Sequence, residues 1–266
     1  MAALSQGAIQ SALQNIETAH SASQAFNTVS EIAKKLGFES CVVFEAILSV
    51  NGNPTSNGLK GDSIAVVFND RTNSAQKKQN DVFDTIDPAL IPGGRKFIDP
   101  PFHPFATGSN WHRANNKAMS AEDQAFYDMM DKIRGPLGVI VFPVRSAQTG
   151  FSPLACVAME SHHSAEWLSE FLENVAPSIM PIISAFEEQL FPHLLEREIQ
   201  RVDLSEREID CLRLLAKGLD TKNIAHQLGI TATMTSRHLR KAQKKLRVSN
   251  TAAATLKAQK LGLVRF

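Results

Sequence analysis

Apolar residues three and four positions apart open the chain and predict two helices within the first 36 residues. Leu4, Ile9, Leu13 and Ile16 form one stripe. Phe26, Val29, Ile32, Ala33 and Leu36 form another, which stops at Gly37 with Lys34 and Lys35 in its last turn. The period then shortens. Cys41–Leu48 and Ser63–Phe68 are mostly apolar runs of strand length, separated by an Asn-, Gly- and Ser-rich loop. Residues 70–118 carry many Pro, Gly and Asn, and predict a helix near 74–86 followed by irregular segments. Ser120–Ile133 is a further helix, with Ser120 as its cap and Phe126, Met129, Met130 and Ile133 on its buried face. Val139–Val144 and Leu154–Met159 are strands on either side of a turn at Gly150. Helical spacing returns over Ser164–Leu195, where Pro177 and Pro181 predict a break or kink because each lacks a backbone donor. Helices, then strands, then helices imply an α+β chain whose residues 1–195 form an α-β-α sandwich. The charged run 196–203 reads as a linker.

From residue 204 onward the local signals agree with one another. Leu204-Ser-Glu-Arg-Glu208 followed by Ile209 is a capping box with a hydrophobic staple. Ile209, Leu212, Leu215 and Ala216 give that helix its inner face, and Gly218 ends it. Asp220 caps a short second helix with Ile224, Ala225 and Leu228 inside and Gly229 as its stop. Thr231 caps a third, whose buried stripe is Thr235, Leu239, Ala242 and Leu246, and Asn250 caps a fourth, closed by Gly262. A short helix, a tight turn and a longer basic helix make a helix-turn-helix within an all-α domain of residues 204–266.

Charge sharpens this picture. The whole chain of 266 residues is close to neutral, yet residues 201–266 hold 14 Lys/Arg against 5 Asp/Glu, and the remainder holds 14 against 22. A basic segment on an otherwise acidic chain suits a polyanionic partner. Between Arg237 and the last residue there are nine Lys/Arg and no acid. The outer face of the third helix presents Thr233, Ser236, Arg237, Arg240, Lys241 and Lys244, with Lys245 beside them. Residues near the start of such a helix reach base edges in the major groove, where Arg bonds guanine bidentately. Lys244, Lys245 and Arg247 suit phosphates. The plain alternative is a solvated basic face.

The C-terminal residues closely resemble the LuxR-type helix-turn-helix. The resemblance runs through Leu204–Glu208, Ala216-Lys-Gly218, Asn223-Ile-Ala225, Leu228-Gly-Ile230, His238-Leu239, Lys245-Leu246 and Leu261-Gly-Leu263. Met234-Thr235 departs from it, since the family usually carries Thr-Val there; Thr235 then places a hydroxyl on the buried face, within reach of the carbonyl one turn back. The N-terminal part resembles the autoinducer-binding domain of acyl-homoserine lactone receptors, on Phe97-Ile-Asp99-Pro100, Trp111, Met119-Ser120, Ala125-Phe-Tyr-Asp128, Gly138, Pro143-Val144 and Gly150. The resemblance implies that Asp99 accepts from a ligand amide and Trp111 packs on a lactone ring, with Phe97, Phe126, Tyr127 and Cys156 on the pocket wall. Asp99 can equally be an Asp-Pro turn, and Trp111 plain core. There is no Trp before Trp111, and Tyr127 is the one tyrosine, so the family's usual donors to the ligand carbonyls are missing.

The expected protein is a DNA-binding transcription regulator that responds to an acyl-homoserine lactone or a similar small signal. The alternative is a ligand-independent regulator whose N-terminal domain serves dimerisation or protein contacts. Its expected partners are double-stranded DNA carrying an inverted repeat and a second copy of itself, with RNA polymerase a further candidate. No cofactor, metal or catalytic set is expected: His103, His112, His162 and His163 lack helix-spaced partners, and no G-x-S-x-G elbow occurs. Three scattered cysteines, no membrane-length apolar run and no Lys or Arg before Lys34 lead to an expectation of a cytoplasmic protein without a leader or transit segment.

Overall fold

A computed structural model describes residues 4–47, 63–70, 103–115, 119–144 and 154–265. The expected helix near 74–86, the Asn-, Gly- and Ser-rich loop over 50–62 and the turn at Gly150 lie outside the described residues.

The opening stripes form α1 (Gln6–Glu17) and α2 (Ala22–Lys35), capped by the hydroxyls of Ser5 and Ser21. β1 (Ser40–Ile47) and β2 (Ser63–Asn69) pair antiparallel. Asp70 closes this corner. Its carboxylate accepts from the Ser30 hydroxyl and from Cys41 N–H at 2.8 Å, and pairs with Lys34 at 3.2 Å. β3 (Phe105–Thr107), α3 (Ser109–Asn115), α4 (Ala121–Arg134), β4 (Gly138–Val144) and β5 (Leu154–Ser161) follow. The five strands form one antiparallel sheet in the order β2-β1-β5-β4-β3.

Because strand side chains alternate between faces, the sheet builds two cores. Cys41, Val43, Ile140, Phe142, Val157 and Met159 face α1, α2 and two later helices, α5 (Ala165–Asn174) and α6 (Ala176–Val202). Val42, Phe44, Val139, Val141, Cys156 and Ala158 face the other way, where Met130 of α4 meets them with Phe126 and Ile133. The sandwich is therefore α-β-α, as its element order implies. α5 lies so close to β4 that a Cβ on Gly138 would collide with the Leu168 side chain, which explains a glycine as the first residue of that strand.

Two expectations need correction. The apolar pattern over 164–195 is split at Val175, which ends α5 and begins α6, so Pro177 sits in a first turn where a missing N–H costs little. Pro181 and Pro192 lie inside α6 without ending it. They occupy its exposed stripe (Pro177, Pro181, Ser184, Glu188, Pro192, Glu196, Gln200), where water can serve the carbonyls that lose a donor. Residues 196–202 of the expected linker are helical. They are the last two turns of α6, and Asp203 caps the helix in the left-handed region at φ 43°.

The C-terminal domain holds α7 (Glu206–Ala216), α8 (Thr221–Leu228), α9 (Ala232–Leu246) and α10 (Thr251–Lys260). Leu212, Ile224, Leu239, Ala242, Leu246, Ala254 and Ala258 form their shared core. Cys211 and Leu214 are buried too, because α7 is covered by α9 and α10 on adjoining sides.

Candidate nucleic-acid interface and sensor residues

The turn between α8 and α9 sets the geometry of the basic helix. Gly229 adopts φ 64°, and the N–H groups of Ile230 and Gly229 donate to the carbonyls of Ala225 (3.0 Å) and His226 (3.3 Å). This paired closure stops α8 and turns the chain at once. Thr231 restarts it: its hydroxyl accepts from Met234 N–H at 3.2 Å. Thr235 is fully buried, and its hydroxyl donates to the Thr231 carbonyl at 3.3 Å, the bond expected one turn back. The departure at Met234-Thr235 thus leaves the helix start intact and puts Met234 at the surface, 46% exposed.

Held this way, α9 turns Thr233, Ser236, Arg237, Arg240, Lys241 and Lys244 to one side, where all six line a single open groove. Two hydroxyls come from its N-terminal half and four cationic side chains follow. No carboxylate lines it, so its field is of one sign and attracts polyanions.

Lys245 does not join this groove. Its ammonium turns inward, donating to the Glu208 carboxylate at 2.9 Å and to the Asp203 carbonyl at 2.7 Å. The reason is the capping box at the start of α7. Ser205 accepts from Glu208 N–H at 3.3 Å, while Glu208, its side chain 4% exposed, accepts from Ser205 N–H at 3.0 Å. Burial pushes the Glu208 carboxyl up, but the Lys245 ammonium and the Ser205 N–H together outweigh it and hold the group below its ordinary value. Sequence exposes the capping box. It does not expose the lysine 37 positions away that completes it.

In the N-terminal domain Phe97 and Asp99 lie outside the described residues. Phe126 and Cys156 come together in the α4-facing core. Tyr127 is buried beside them, edge-on to Phe126 (centroids 5.5 Å apart) and stacked on His112 at 5.4 Å. Cys156 is buried, and burial pushes its thiol up to about 12, which disfavours the reactive thiolate. Trp111, on α3, is half-buried and packs against the other core, the one under α5 and α6. Histidines that invite a metal reading serve the fold. His162 Nδ1 lies 2.7 Å from the Pro136 carbonyl, His163 Nε2 3.1 Å from that of Gly37, and His112 Nε2 3.1 Å from the Thr107 hydroxyl. Among the described residues no group of three or more His, Cys, Asp or Glu could hold a metal ion.

Residues 202–258 match the model of the bacterial regulatory proteins of the luxR family. The C-terminal domain belongs to that family. Over 77 residues the chain is 38% identical to the nitrate/nitrite response regulator protein NarP of Escherichia coli (strain K12), covering 27% of this chain. The match spans only about a third of that relative's length, 36%. Among solved structures, the crystal structure of Escherichia coli SdiA resembles this chain with a TM-score of 0.50 at 16% identity, over 97% of this chain and 98% of that one. SdiA in complex with octanoyl-rac-glycerol gives 0.53 at 14% identity, with both chains covered completely. At such identities the likeness speaks for the fold: a mixed α/β N-terminal domain followed by a LuxR-type helical domain.

Proposed function

We propose that the protein is a transcription regulator that binds double-stranded DNA through the α9 groove of its LuxR-type domain. The observation that carries this reading is the groove itself, with four cations and two hydroxyls on the helix that follows the tight turn. Arg237 and Arg240 read base edges, Thr233 and Ser236 lie nearest the helix start, and Lys241 and Lys244 bind phosphates. The active form is a homodimer on an inverted repeat, since a two-fold protein matches a two-fold site. RNA polymerase is a proposed further partner. Binding, not catalysis, is the proposed activity. Among the described residues no helix is long and apolar enough to cross a membrane, in keeping with a proposed cytoplasmic location.

Selection of bound duplexes from a random-sequence library tests the DNA reading. The expected product is a symmetric site, and Arg240→Ala should weaken binding to it by about 1–3 kcal/mol. Failure to enrich any sequence would reject the reading.

The N-terminal domain is proposed to sense an acyl-homoserine lactone or a similar small molecule, with Asp99 bonding its amide and Phe97, Phe126, Tyr127 and Cys156 lining the pocket. Trp111 joins them only if the ligand reaches the α3 side. Support comes from the α-β-α fold shared with SdiA and from the apolar Phe126–Cys156 cluster. The ligand-independent regulator remains the second reading, favoured by the absent tryptophan and tyrosine donors. Mass spectrometry of retained small molecules, with melting measured across a lactone panel, separates the two. A ligand at about a hundred times its Kd adds about 2.7 kcal/mol. No retained molecule and no shift, in folded protein that binds DNA, would select the second reading.

A further inference from the structure

We infer that α6 is a rigid member of both domains, and that Glu198 is a positioning residue fixing the DNA-reading domain on it. The inference rests on the DNA-binding reading and adds how the N-terminal domain reaches the groove. Phe186, Leu190 and Leu194 of α6 belong to the core beneath the sheet. Val202 lies in the core of the LuxR-type domain, and Leu195 and Ile199 pack against it. Leu195, Ile199 and Val202 stand at i, i+4 and i+7, one stripe of a continuous helix. No loop separates the two cores along α6: it is a single helix from Ala176 to Val202, in which Pro181 and Pro192 each remove one backbone donor.

Glu198 sits within this second stripe. Its carboxylate, 8% exposed, takes one oxygen to Arg201 Nη1 at 2.6 Å on its own helix and the other to Lys257 Nζ at 3.0 Å on α10. Both cations are themselves largely covered, Arg201 at 21% and Lys257 at 18%. A carboxylate buried in this way holds its geometry narrowly, because losing a cation would leave an uncompensated charge. α10 packs on α9, so the path from sheet to groove runs through α6, the Glu198–Lys257 pair, α10 and α9. A displacement of α6 within the first core carries α9 with it, and the groove keeps a fixed position relative to α6. A rigid helix suits that task, whereas a loop would absorb the movement.

The test uses the full chain, as wild type, Glu198→Gln, Lys257→Met and Lys257→Arg. NMR relaxation gives the rotational correlation time of each domain. Wild type and Lys257→Arg should tumble with one common time, and Glu198→Gln and Lys257→Met with two, the C-terminal domain the faster. The second readout is affinity for the selected duplex with one or two base pairs inserted between its half-sites. Insertion should cost wild type about tenfold or more, and clearly less in Glu198→Gln and Lys257→Met. A merely structural carboxylate would lower stability without altering tolerance to spacing. Independent tumbling in wild type would overturn the inference. So would equal spacing penalties in all four proteins. If no duplex is enriched, the DNA reading fails by itself and the correlation times alone decide whether the two domains are clasped.

Discussion

Lys245 and Lys244 are neighbours with the same chemistry and opposite uses. Helical geometry turns Lys244 into the groove and Lys245 toward the capping box of α7. Charge composition treats them alike, which is why Lys245 reads from sequence as a phosphate contact. Its partner Glu208 supports a pH prediction. The folded carboxyl lies below its ordinary value, so the folded state binds fewer protons here than the unfolded chain does. The contribution is fully present above the unfolded value of about 4.3 and is lost as pH falls through the folded value. Wild type should therefore exceed Glu208→Gln in stability near neutrality, and the gap should close as acid is added. Denaturant titrations of both proteins between about pH 3 and 7 check this, and a gap that does not narrow would contradict it. Arg247 supplies a second prediction. It ends α9 at φ 55°, a left-handed conformation that costs an L-residue roughly 1–2 kcal/mol. Arg247→Gly should raise stability by about 1 kcal/mol, visible as a higher Tm, with little change in specific base preference.

At the scale of elements, most of the fold was legible because caps and periods agree. Ser5, Ser21, Ser120, Ser164, Ser205, Asp220, Thr231 and Asn250 all cap the helices that follow them. What misled was α6. Pro181 breaks the expected hydrogen-bond ladder, and residues 196–203 are charged enough to resemble a linker. The helical signal was nonetheless there, in Leu195, Ile199 and Val202 at helical spacing; Glu196 is exposed, and Glu198 is neutralised by Arg201 and Lys257. Spacing within one segment cannot disclose a cation on another. Because Pro181 is exposed and lies beyond the first turn, it is a local cost that the burial of Ile179, Ile182 and Ile183 in the N-terminal core overrides. Pro181→Ala restores a donor and a strong helix former, and should stabilise the chain by about 1–3 kcal/mol. Chemical denaturation measures this directly. A loss of stability would mean that the proline ring packs against something its exposure does not suggest.

At the scale of the molecule, the two halves were not equally legible. The LuxR-type site lies on one helix, so periodicity alone brings its residues together, and six of the seven proposed DNA contacts share one groove. The proposed ligand wall draws on separate elements around a sheet, where a shift of one position changes the face. Phe126 and Cys156 meet, but Trp111 packs on the opposite core, and no spacing rule could have announced that. The charge split carries the last prediction. Arg237, Arg240, Lys241 and Lys244 are the groove's cations, and each phosphate neutralised contributes about −0.9 to the slope of log affinity against log salt. If all four met phosphates, each protomer would give a slope near −3.6, or about −7 for a dimer. The proposed roles divide them. Lys241 and Lys244 bind phosphate and set the slope, whereas Arg237 and Arg240 bond bases and contribute less to it. Lys244→Ala should flatten the slope by about 1 per protomer and weaken all sequences alike. Arg240→Ala should leave the slope nearly unchanged and weaken the selected site far more than random DNA. Anisotropy titrations at several salt concentrations separate these outcomes, and equal slope changes in both variants would mean that Arg240 also sits on the backbone and that base reading falls to the residues nearer the helix start.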